Sequence, residues 1–559
     1  MKRLLILIAA LALLALSLGS GNASPPGPDR GRTGNAINLS PSNGTPAATA
    51  YALVAWSELG MHCIDGKDYS IFSVLPPYNI IHAQLLKKGE PPVVITSGAT
   101  ITYVATADTT GSVNSGSASK TNFWSYVQLL FLASPPPDTG LAGYQTQSKT
   151  PHQLNYNSTI GYWEAVGVPT VGYDDKGAFN PYPMAQLVAK DTTGKVLATA
   201  KIVLSVSDEM SCKNCHASGS DPAAMPTSGW VNNSDPNKDQ KLNILKKHDD
   251  RWPISQYLGQ LQGLGWTYKS TLYETAVSGT PVLCAACHGD NALGLQGLTG
   301  INSLTTDMHT LHGPLANYPD TTTLDQGKTD LTSCYVCHPG PKTLCKRGAM
   351  NKVNCSSCHG NVSHVGDPTR TGWLIEPSCQ MCHTNSLRYK TTFTKNGTWR
   401  HTKDQTFATN PNVPVQGADL YRYSSGHGSV FCSACHGSPH AEFPTLQPND
   451  NVYPTKLQGY AAKITECTVC HTNLTATANG GPHGIHVIGQ KWVDGHPDYV
   501  DQHGHQACAY CHGKTYRGSF LSQSKVQRIL KVDDGRKKTF PAGHQFNCYD
   551  CHNGPNGGG

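Results

Sequence analysis

At 559 residues the chain is long enough for several domains and a sizeable apolar core, so small size does not explain its 20 cysteines. Its formal charge of +6 is only mildly basic, and only 14% of its residues are charged. The lysines form no basic stripe, which excludes nucleic acid as an expected partner.

The N-terminus has the order of a secretory signal. Residues 2 and 3 are basic, residues 4–18 are apolar, and small residues follow as far as Ala23. The apolar run is too short to span a membrane, and no other stretch reaches the roughly 18 to 20 apolar residues that a membrane helix needs. We therefore expect a signal peptide over 1–23, a flexible leader rich in Pro, Gly, Ser and Asn over 24–50, and no integral membrane segment. The expected location is the periplasm, the outer cell surface or the extracellular space.

The next part of the chain, residues 51–206, has the pattern of strands. Residues 93–95 are apolar, and Ile101 and Tyr103 alternate with polar neighbours. A turn at 191–194 separates two further alternating runs. The pattern predicts a β-sandwich-like domain of about 150 residues, within the usual domain size.

The pattern changes over residues 207–553. Apolar periodicity is poor, Gly, Pro, Asn and His are frequent, and short helices are predicted only over 256–264 and 522–530. A glycine-rich stretch, residues 554–559, predicts a flexible tail. A chain of this kind is disordered unless something other than its side chains supplies the core.

Nine CxxCH motifs lie in this region, and we number them 1 to 9 along the chain. They are Cys212, Cys215 and His216; Cys284, Cys287 and His288; Cys334, Cys337 and His338; Cys355, Cys358 and His359; Cys379, Cys382 and His383; Cys432, Cys435 and His436; Cys467, Cys470 and His471; Cys508, Cys511 and His512; and Cys548, Cys551 and His552. Composition alone gives about 0.03 such motifs, so chance does not explain them. Two thiols at this spacing reach the two vinyl groups of a porphyrin, and the adjacent histidine ligates the iron as proximal ligand.

The motifs therefore predict nine covalently bound haem c groups, whose apolar rings would replace a peptide core. The predicted fold class is a multihaem cytochrome c, with a haem-free β-sandwich-like domain followed by a haem array of low secondary structure and short helices. Zinc and a disulfide scaffold are the alternatives. Zinc needs two CxxC pairs brought together and does not require a histidine after every pair. Ionised propionates would bring the net charge of the mature protein to about −14 with ferrous or about −5 with ferric irons, which again disfavours nucleic acid.

Sixteen histidines lie outside the motifs, against seven methionines after the initiator, so general His/Met ligation is excluded and bis-His ligation is predicted. A histidine a few residues from a motif cannot easily reach the far face of its own haem, and is expected to ligate a neighbouring one. The candidate distal ligands are His309, His312, His364, His401, His427, His440, His486, His496, His505 and His544.

Two cysteines, Cys63 and Cys345, lie outside the motifs. In an oxidising compartment they form either a disulfide or two separate buried thiols. Nearby, His62 and His82 are candidates for a distal ligand from the β domain, or for a small metal site together with Cys63. The sequence leaves these alternatives open.

The chain resembles the large secreted multihaem c-type cytochromes of metal-reducing bacteria. The resemblance is carried by Cys432–His440 (CSACHGSPH), by GPHGIH and GQKW within 481–492, by CHGKTYRG at 511–518, and by Gly60–Cys63 with Leu75–Tyr78. It implies electron transfer from the periplasm or outer membrane to extracellular acceptors such as ferric oxides. Some members of this group assemble into filaments, so the resemblance also implies self-assembly.

Bis-His irons have no open position for a substrate, so the sequence predicts an electron carrier and not an enzyme. Its expected partners are other redox proteins or extracellular electron acceptors, and self-assembly is left open. One alternative is a reductase with a single open-site haem. The other is a surface-attached adhesin or scaffold whose haems are structural.

The haem count is directly measurable. Because every motif supplies two thiols and a histidine, intact-mass spectrometry of the mature protein is expected to show nine haem additions. A clearly smaller number would contradict the prediction. A variant with both cysteines of motif 9 changed to alanine serves as the calibration, and should carry one haem fewer.

Overall fold

The computed structural model describes residues 49–316, 322–340, 342–370, 422, 425–426, 429–472, 489–513, 515–518, 522–524, 527–532 and 534–555. Motif 5, with Cys379, Cys382 and His383, lies outside these residues. So do the candidate ligands His401, His427 and His486, the predicted signal peptide, most of the leader and most of the tail. The haem predicted at motif 5 and its proximal ligand therefore stay predictions from sequence.

Strands dominate the first part of the described chain, and a mixed sheet-and-helix fold results. The strands are β1 (Tyr51–Ser57), β2 (His62–Cys63), β3 (Phe72–Ser73), β4 (Ile80–Lys87), β5 (Val93–Ile95), β6 (Ala99–Thr106), β7 (His152–Gln153), β8 (Asn155–Asn157), β9 (Tyr162–Val166), β10 (Met184–Asp191), β11 (Val196–Val203), β12 (Val206–Ser207), β13 (Val282–Leu283), β14 (Ser425–Gly426), β15 (Val430–Phe431), β16 (Arg528–Lys531) and β17 (Lys537–Phe540).

Helices lie mainly in the second part. They are α1 (Phe123–Phe131), α2 (Lys213–His216), α3 (Pro236–Arg251), α4 (Leu258–Leu264), α5 (Leu272–Val277), α6 (Leu304–His312), α7 (Ser356–His359), α8 (Val362–Val365), α9 (Cys432–His436), α10 (Pro448–Gln458), α11 (Gln490–His503) and α12 (Ala509–His512). No helix among the described residues is long and apolar enough to cross a membrane.

Two antiparallel sheets share one apolar core between residues 51 and 206. One has the order β1-β4-β9-β8 with β5 paired to β4, and the other has the order β11-β10-β6-β7. Leu85 of the first sheet and Tyr103 and Leu187 of the second are fully buried in this core. The predicted strands at 93–95 and around Ile101 are confirmed, as is the turn that joins β10 to β11.

Later residues complete this core. Phe431 stacks on Trp56 with ring centroids 5.8 Å apart, and Ala434 of α9 is fully buried in the same cluster. Tyr453 of α10 is also buried there, and its hydroxyl donates to the carbonyl of Ala434 at 3.1 Å. Motif 6, which forms α9, is therefore packed directly against the β domain.

The second region holds longer helices than the sequence predicted. In α3, Asp235 caps the N-terminus by accepting from the amide nitrogens of Asn237 and Lys238, and Leu242 and Leu245 are buried. The predicted helix at 256–264 is confirmed in its main part by α4.

The predicted helix over 522–530 is wrong, because its last residues form strand β16. Residues 528–531 pair with 537–540 as a hairpin, and Gly535 has a φ of +79° in its turn. Glycine adopts this left-handed conformation without steric cost, which favours the turn over a continued helix.

A buried ion pair joins the chain after motif 3 to α10. Arg347 and Asp450 are 1% and 6% exposed, and the Arg347 Nε lies 2.5 Å from Asp450 Oδ2. Arg347 also donates to the carbonyl of Gly60 next to β2. Three distant segments thus meet at one guanidinium.

The Asp450→Asn substitution should destabilise the protein by about 3–5 kcal/mol, because it leaves a buried guanidinium without its counter-ion. The midpoint of denaturant unfolding, followed by circular dichroism, measures this effect. The matched control is Asp534→Asn, which breaks the exposed pair with Arg536 and should leave the midpoint unchanged. Equal midpoints for both variants would show that the buried pair adds nothing.

Candidate haem-binding sites

The eight CxxCH motifs within the described residues share one local structure, a single helical turn. In six of them the histidine amide donates to the carbonyl of the first cysteine, over distances from 2.8 Å in motif 7 to 3.2 Å in motif 9. Motif 6 forms the short helix α9. Residues at i, i+3 and i+4 lie on one face of a helical turn, so the two thiols and the imidazole of a motif share one side. This is the arrangement that thioether attachment and proximal ligation require.

The second cysteine of each motif is placed by this turn. Cys358 lies within α7 and Cys551 follows the last short turn of the chain, and each amide donates to the carbonyl of the first cysteine of its motif, at 3.1 and 3.5 Å. Neither is joined in a disulfide in the described part of the chain. Cys511 lies within α12, and its side chain is outside the described part. Thioether attachment stays a prediction at these three positions, as it does at the other motif cysteines.

Within the described residues, histidines from outside the motifs face motif histidines in the following five places. Each pair joins one motif histidine to one other histidine, with ring centroids 6.0 to 6.4 Å apart. The pairs are His216–His312 at 6.3 Å, His248–His288 at 6.4 Å, His309–His338 at 6.0 Å, His359–His440 at 6.1 Å and His496–His552 at 6.0 Å.

This spacing matches two imidazoles on opposite sides of one iron. An imidazole nitrogen lies about 2 Å from a metal that it ligates, so two trans ligands have ring centres about 6 Å apart. Stacked rings in direct contact lie closer, as His82 and Tyr162 show with a separation of 4.2 Å, whereas edge-to-face contacts reach the same distance, as Trp56 and Tyr162 show at 6.1 Å. The pair His309–His338 is nearly parallel, at 14°, yet 6.0 Å apart. The paired residues therefore fit bis-His haem ligation.

Backbone carbonyls orient several of these rings through Nδ1. The acceptors are the carbonyls of Thr305 for His309 (2.7 Å), Met308 for His312 (2.6 Å), Val493 for His496 (2.9 Å) and Phe546 for His512 (2.8 Å). When Nδ1 donates to a carbonyl, Nε2 carries the lone pair that a metal needs. The hydrogen bonds thus select the ligating tautomer.

Burial lowers the pKa of several of the paired imidazoles and favours their neutral form. The pKa is lowered to about 4 for His216, His248, His338 and His440 and to about 3 for His359, with burial as the main cause and a neighbouring histidine as a smaller one at all of these but His440. At neutral pH these rings are therefore uncharged. A neutral imidazole is the form that binds iron.

Helix α6 places side chains next to the histidines of motifs 1, 2 and 3. It begins after Ser303, whose hydroxyl accepts from the amide of Thr306, and it presents His309 toward motif 3 and His312 toward motif 1. In the same helix Asp307 Oδ2 lies 3.2 Å from Nδ1 of His288, in motif 2. One short helix thereby brings three motifs into one neighbourhood.

Direct contacts connect further motifs. The Asn214 amide of motif 1 donates to the carbonyl of Val336 in motif 3 at 3.1 Å. The thiols of Cys334 in motif 3 and Cys355 in motif 4 are hydrogen-bonded, which lowers the pKa of Cys334. These contacts link motifs 1, 3 and 4 in series.

The later motifs are in contact as well. Burial, and to a smaller extent the neighbouring Cys470 of motif 7, raise the pKa of Cys435 in motif 6 to about 12. The carbonyl of Phe546, two residues before motif 9, accepts from Nδ1 of His512 of motif 8. Motifs 6 and 7, and motifs 8 and 9, therefore form two further neighbouring pairs.

The β domain reaches motif 7 through the loop that follows β4. The amide of Gly89 donates to the carbonyl of Cys470 at 3.3 Å, and the amide of Thr472 donates to the carbonyl of Gly89 at 3.4 Å. Glu90 in the same loop places Oε2 3.1 Å from Nδ1 of His471.

Sequence reasoning missed His248. It lies in the last turn of α3 and faces His288 of motif 2, although neither its spacing nor a nearby motif marks it. The capping residue Asp235 and the proline after it were the available signals for α3.

Three other candidates have different described neighbours. His364 lies in α8 directly after motif 4, His505 contacts the ring of Tyr516 at 5.5 Å, and Nε2 of His544 lies 2.7 Å from Asp550 Oδ2. Their roles as distal ligands stay predictions.

Four further candidates lie outside the motifs: His62, Cys63 and His82 in the β domain and Cys345 after motif 3, of which the histidines are buried and the cysteines partly exposed. Cys63 and Cys345 are free thiols in the structure, and a charge on Cys345 would raise the pKa of Cys63, already raised by burial. His62 and His82 are buried, which lowers the pKa of each to about 3. In the described part of the chain no group of three or more His, Cys, Asp or Glu side chains is arranged to hold a metal ion, so a site of His62, Cys63 and His82 is not found.

Comparison with protein-family models, curated proteins and solved structures gave no match. The resemblance to cytochromes of metal-reducing bacteria therefore stays a prediction. What identifies the sites is the chemistry of the CxxCH motifs and the spacing of the histidine pairs.

The His248→Ala substitution tests the pairing with motif 2. Without this ring the iron held by His288 should lose its distal ligand, so about one ninth of the haem should become high-spin in resonance Raman spectra. The control is His152→Ala, in strand β7, which should leave all haem low-spin. An unchanged spectrum for His248→Ala would remove His248 from the ligand set.

Proposed function

We propose that this chain binds nine haem c groups and carries electrons along them between redox partners. The observation that carries the proposal is the set of five histidine pairs, each joining a motif histidine to a second histidine at 6.0 to 6.4 Å. Haem, when bound, supplies a one-electron Fe(III)/Fe(II) couple at each motif.

The paired histidines favour electron carriage over catalysis. The two histidines of each pair would both ligate a bound haem iron and would leave it no open position for nitrite or another substrate. Imidazole pairs also favour lower potentials than a histidine–methionine pair does. A reductase would require one motif without a second histidine.

The contacts between motifs favour transfer along the chain. Motifs 1, 3 and 4 contact one another in series, α6 contacts motifs 1, 2 and 3, and motif 8 contacts motif 9. Haems held by such neighbouring turns would themselves be neighbours in the fold, an arrangement that favours electron transfer between them without a mobile carrier. The protein supplies their spacing, their orientation and their exclusion from water.

The direction and destination follow from the predicted export signal and from the resemblance to secreted multihaem cytochromes. We include in the proposal that electrons pass from periplasmic or outer-membrane redox proteins to extracellular acceptors such as ferric oxides. The same resemblance implies that copies of the chain assemble into a filament.

Electron paramagnetic resonance of the oxidised holoprotein tests the role. All nine haems are expected to give low-spin ferric signals, and carbon monoxide should leave the spectrum of the reduced protein unchanged because no axial position is open. A stoichiometric high-spin signal would favour the reductase. The His248→Ala variant is the positive control, since it should show a high-spin component and bind carbon monoxide at one site.

Transfer itself is measured by stopped-flow spectroscopy. Protein reduced with dithionite should be reoxidised by a soluble ferric chelate, with the reduced absorbance of all nine haems lost. If a fraction of the haem stays reduced on this timescale, the array does not conduct as one unit.

A further inference from the structure

The acceptors of the Nδ1 protons differ among the histidines that face haem sites. For His309, His312, His496 and His512 the acceptor is a neutral backbone carbonyl. At two motif histidines a carboxylate lies within hydrogen-bond distance. These are His471 of motif 7, next to Glu90, and His288 of motif 2, next to Asp307.

Glu90 approaches His471 with both oxygens. Oε2 lies 3.1 Å and Oε1 3.3 Å from Nδ1, and the two side chains are only 24% and 12% exposed. The backbone contacts of Gly89 with motif 7 hold the loop in place. The carboxylate is therefore positioned by the β domain.

Asp307 is placed independently, by helix α6. Its Oδ2 lies 3.2 Å from Nδ1 of His288, which also lies 3.1 Å from the carbonyl of Asn302. The side-chain amide of Asn302 donates to the second carboxylate oxygen of Asp307 at 2.9 Å and fixes its orientation. The Nδ1 proton of His288 is thus shared between a neutral and a charged acceptor.

A charged acceptor changes the ligand electronically. A carboxylate draws the Nδ1 proton toward itself and makes the imidazole a stronger electron donor to its metal. It also places a negative charge near the iron, where partial burial weakens screening by solvent and salt. Both effects stabilise the ferric over the ferrous state and lower the reduction potential.

We propose that Glu90 and Asp307 are positioning residues that make motifs 7 and 2 low-potential sites relative to those whose histidines donate to carbonyls. The inference rests on the proposed function, since it requires haem at these motifs. It gives the haem-free β domain a defined redox role, because Glu90 acts on motif 7 through His471. Addition of one electron to Fe(III) at motif 7 or motif 2 is then less favourable than at the carbonyl-assisted sites.

Glu90→Gln and Asp307→Asn test the inference, because each keeps an oxygen acceptor and removes the charge. Spectroelectrochemical titration of the holoprotein, with dithionite as reductant, follows the reduced α-band against applied potential. In each variant, about one ninth of the α-band amplitude, the part that titrates at the lowest potentials in the unmodified protein, should titrate at a higher potential. We expect about a tenfold change in the reduced-to-oxidised ratio of that haem, or about 59 mV for a one-electron couple. The shift should be larger for Glu90→Gln, since His288 retains the carbonyl of Asn302.

The control is Glu274→Gln, which removes the same charge from the exposed first turn of α5 and should leave the curve unchanged. Haem count and spin state are measured on the same samples. A wild-type protein without nine low-spin haems would overturn the proposed function itself. Nine low-spin haems with superimposable titration curves would overturn only this inference. Loss of haem from Glu90→Gln would also overturn it, because a positioning residue of this kind changes potential and not attachment.

Discussion

The approach of a motif histidine to a second histidine from elsewhere in the chain is the interaction on which the second half of the structure depends. A CxxCH turn is too short to bury anything by itself, and its flanking sequence has little apolar periodicity. The histidine pairs connect these turns to segments that are distant in sequence, as His248 of α3 and His440 in the turn after motif 6 do. With a porphyrin held between the members of each pair, the chain would gain the apolar volume that its side chains lack.

The β domain is held together by apolar side chains, and its strands were the easiest elements to predict. Alternation of apolar and polar residues has a period of two only in strands, so β5, β6 and the β10–β11 turn could be predicted from sequence. Its closure by Phe431 and Tyr453 could not, because a contact across hundreds of residues leaves no trace in local spacing. The ion pair of Arg347 and Asp450 could not be predicted for the same reason, because these two residues and Gly60, which accepts from Arg347, lie in three separate segments of the chain.

In the region of the CxxCH motifs, part of the predicted arrangement of histidines is found in the structure. Haem attachment and proximal ligation at the motifs stay predictions, while four of the non-motif histidines predicted as ligands do face a motif histidine: His309, His312, His440 and His496. His248 was missed because α3 has few apolar residues and its helical character comes from its cap and from tertiary packing. Strand β16 was mistaken for a helix because a short apolar run fits either state, and only the hairpin turn at Gly535 decides between them.

Helix α6 has a consequence for the order in which the protein matures. If the chain is exported as predicted, motif 1 would leave the export machinery before His312, its facing residue, with motif 2 between them in the sequence. A haem attached to motif 1 as the chain emerges would have only His216 as an axial ligand until α6 arrives. The arrival of that one helix would then complete the coordination at motif 1, place Asp307 beside His288, and present His309 to motif 3 as soon as it is made. The surroundings of the histidines of motifs 1, 2 and 3 would then all wait for the same nine residues of α6.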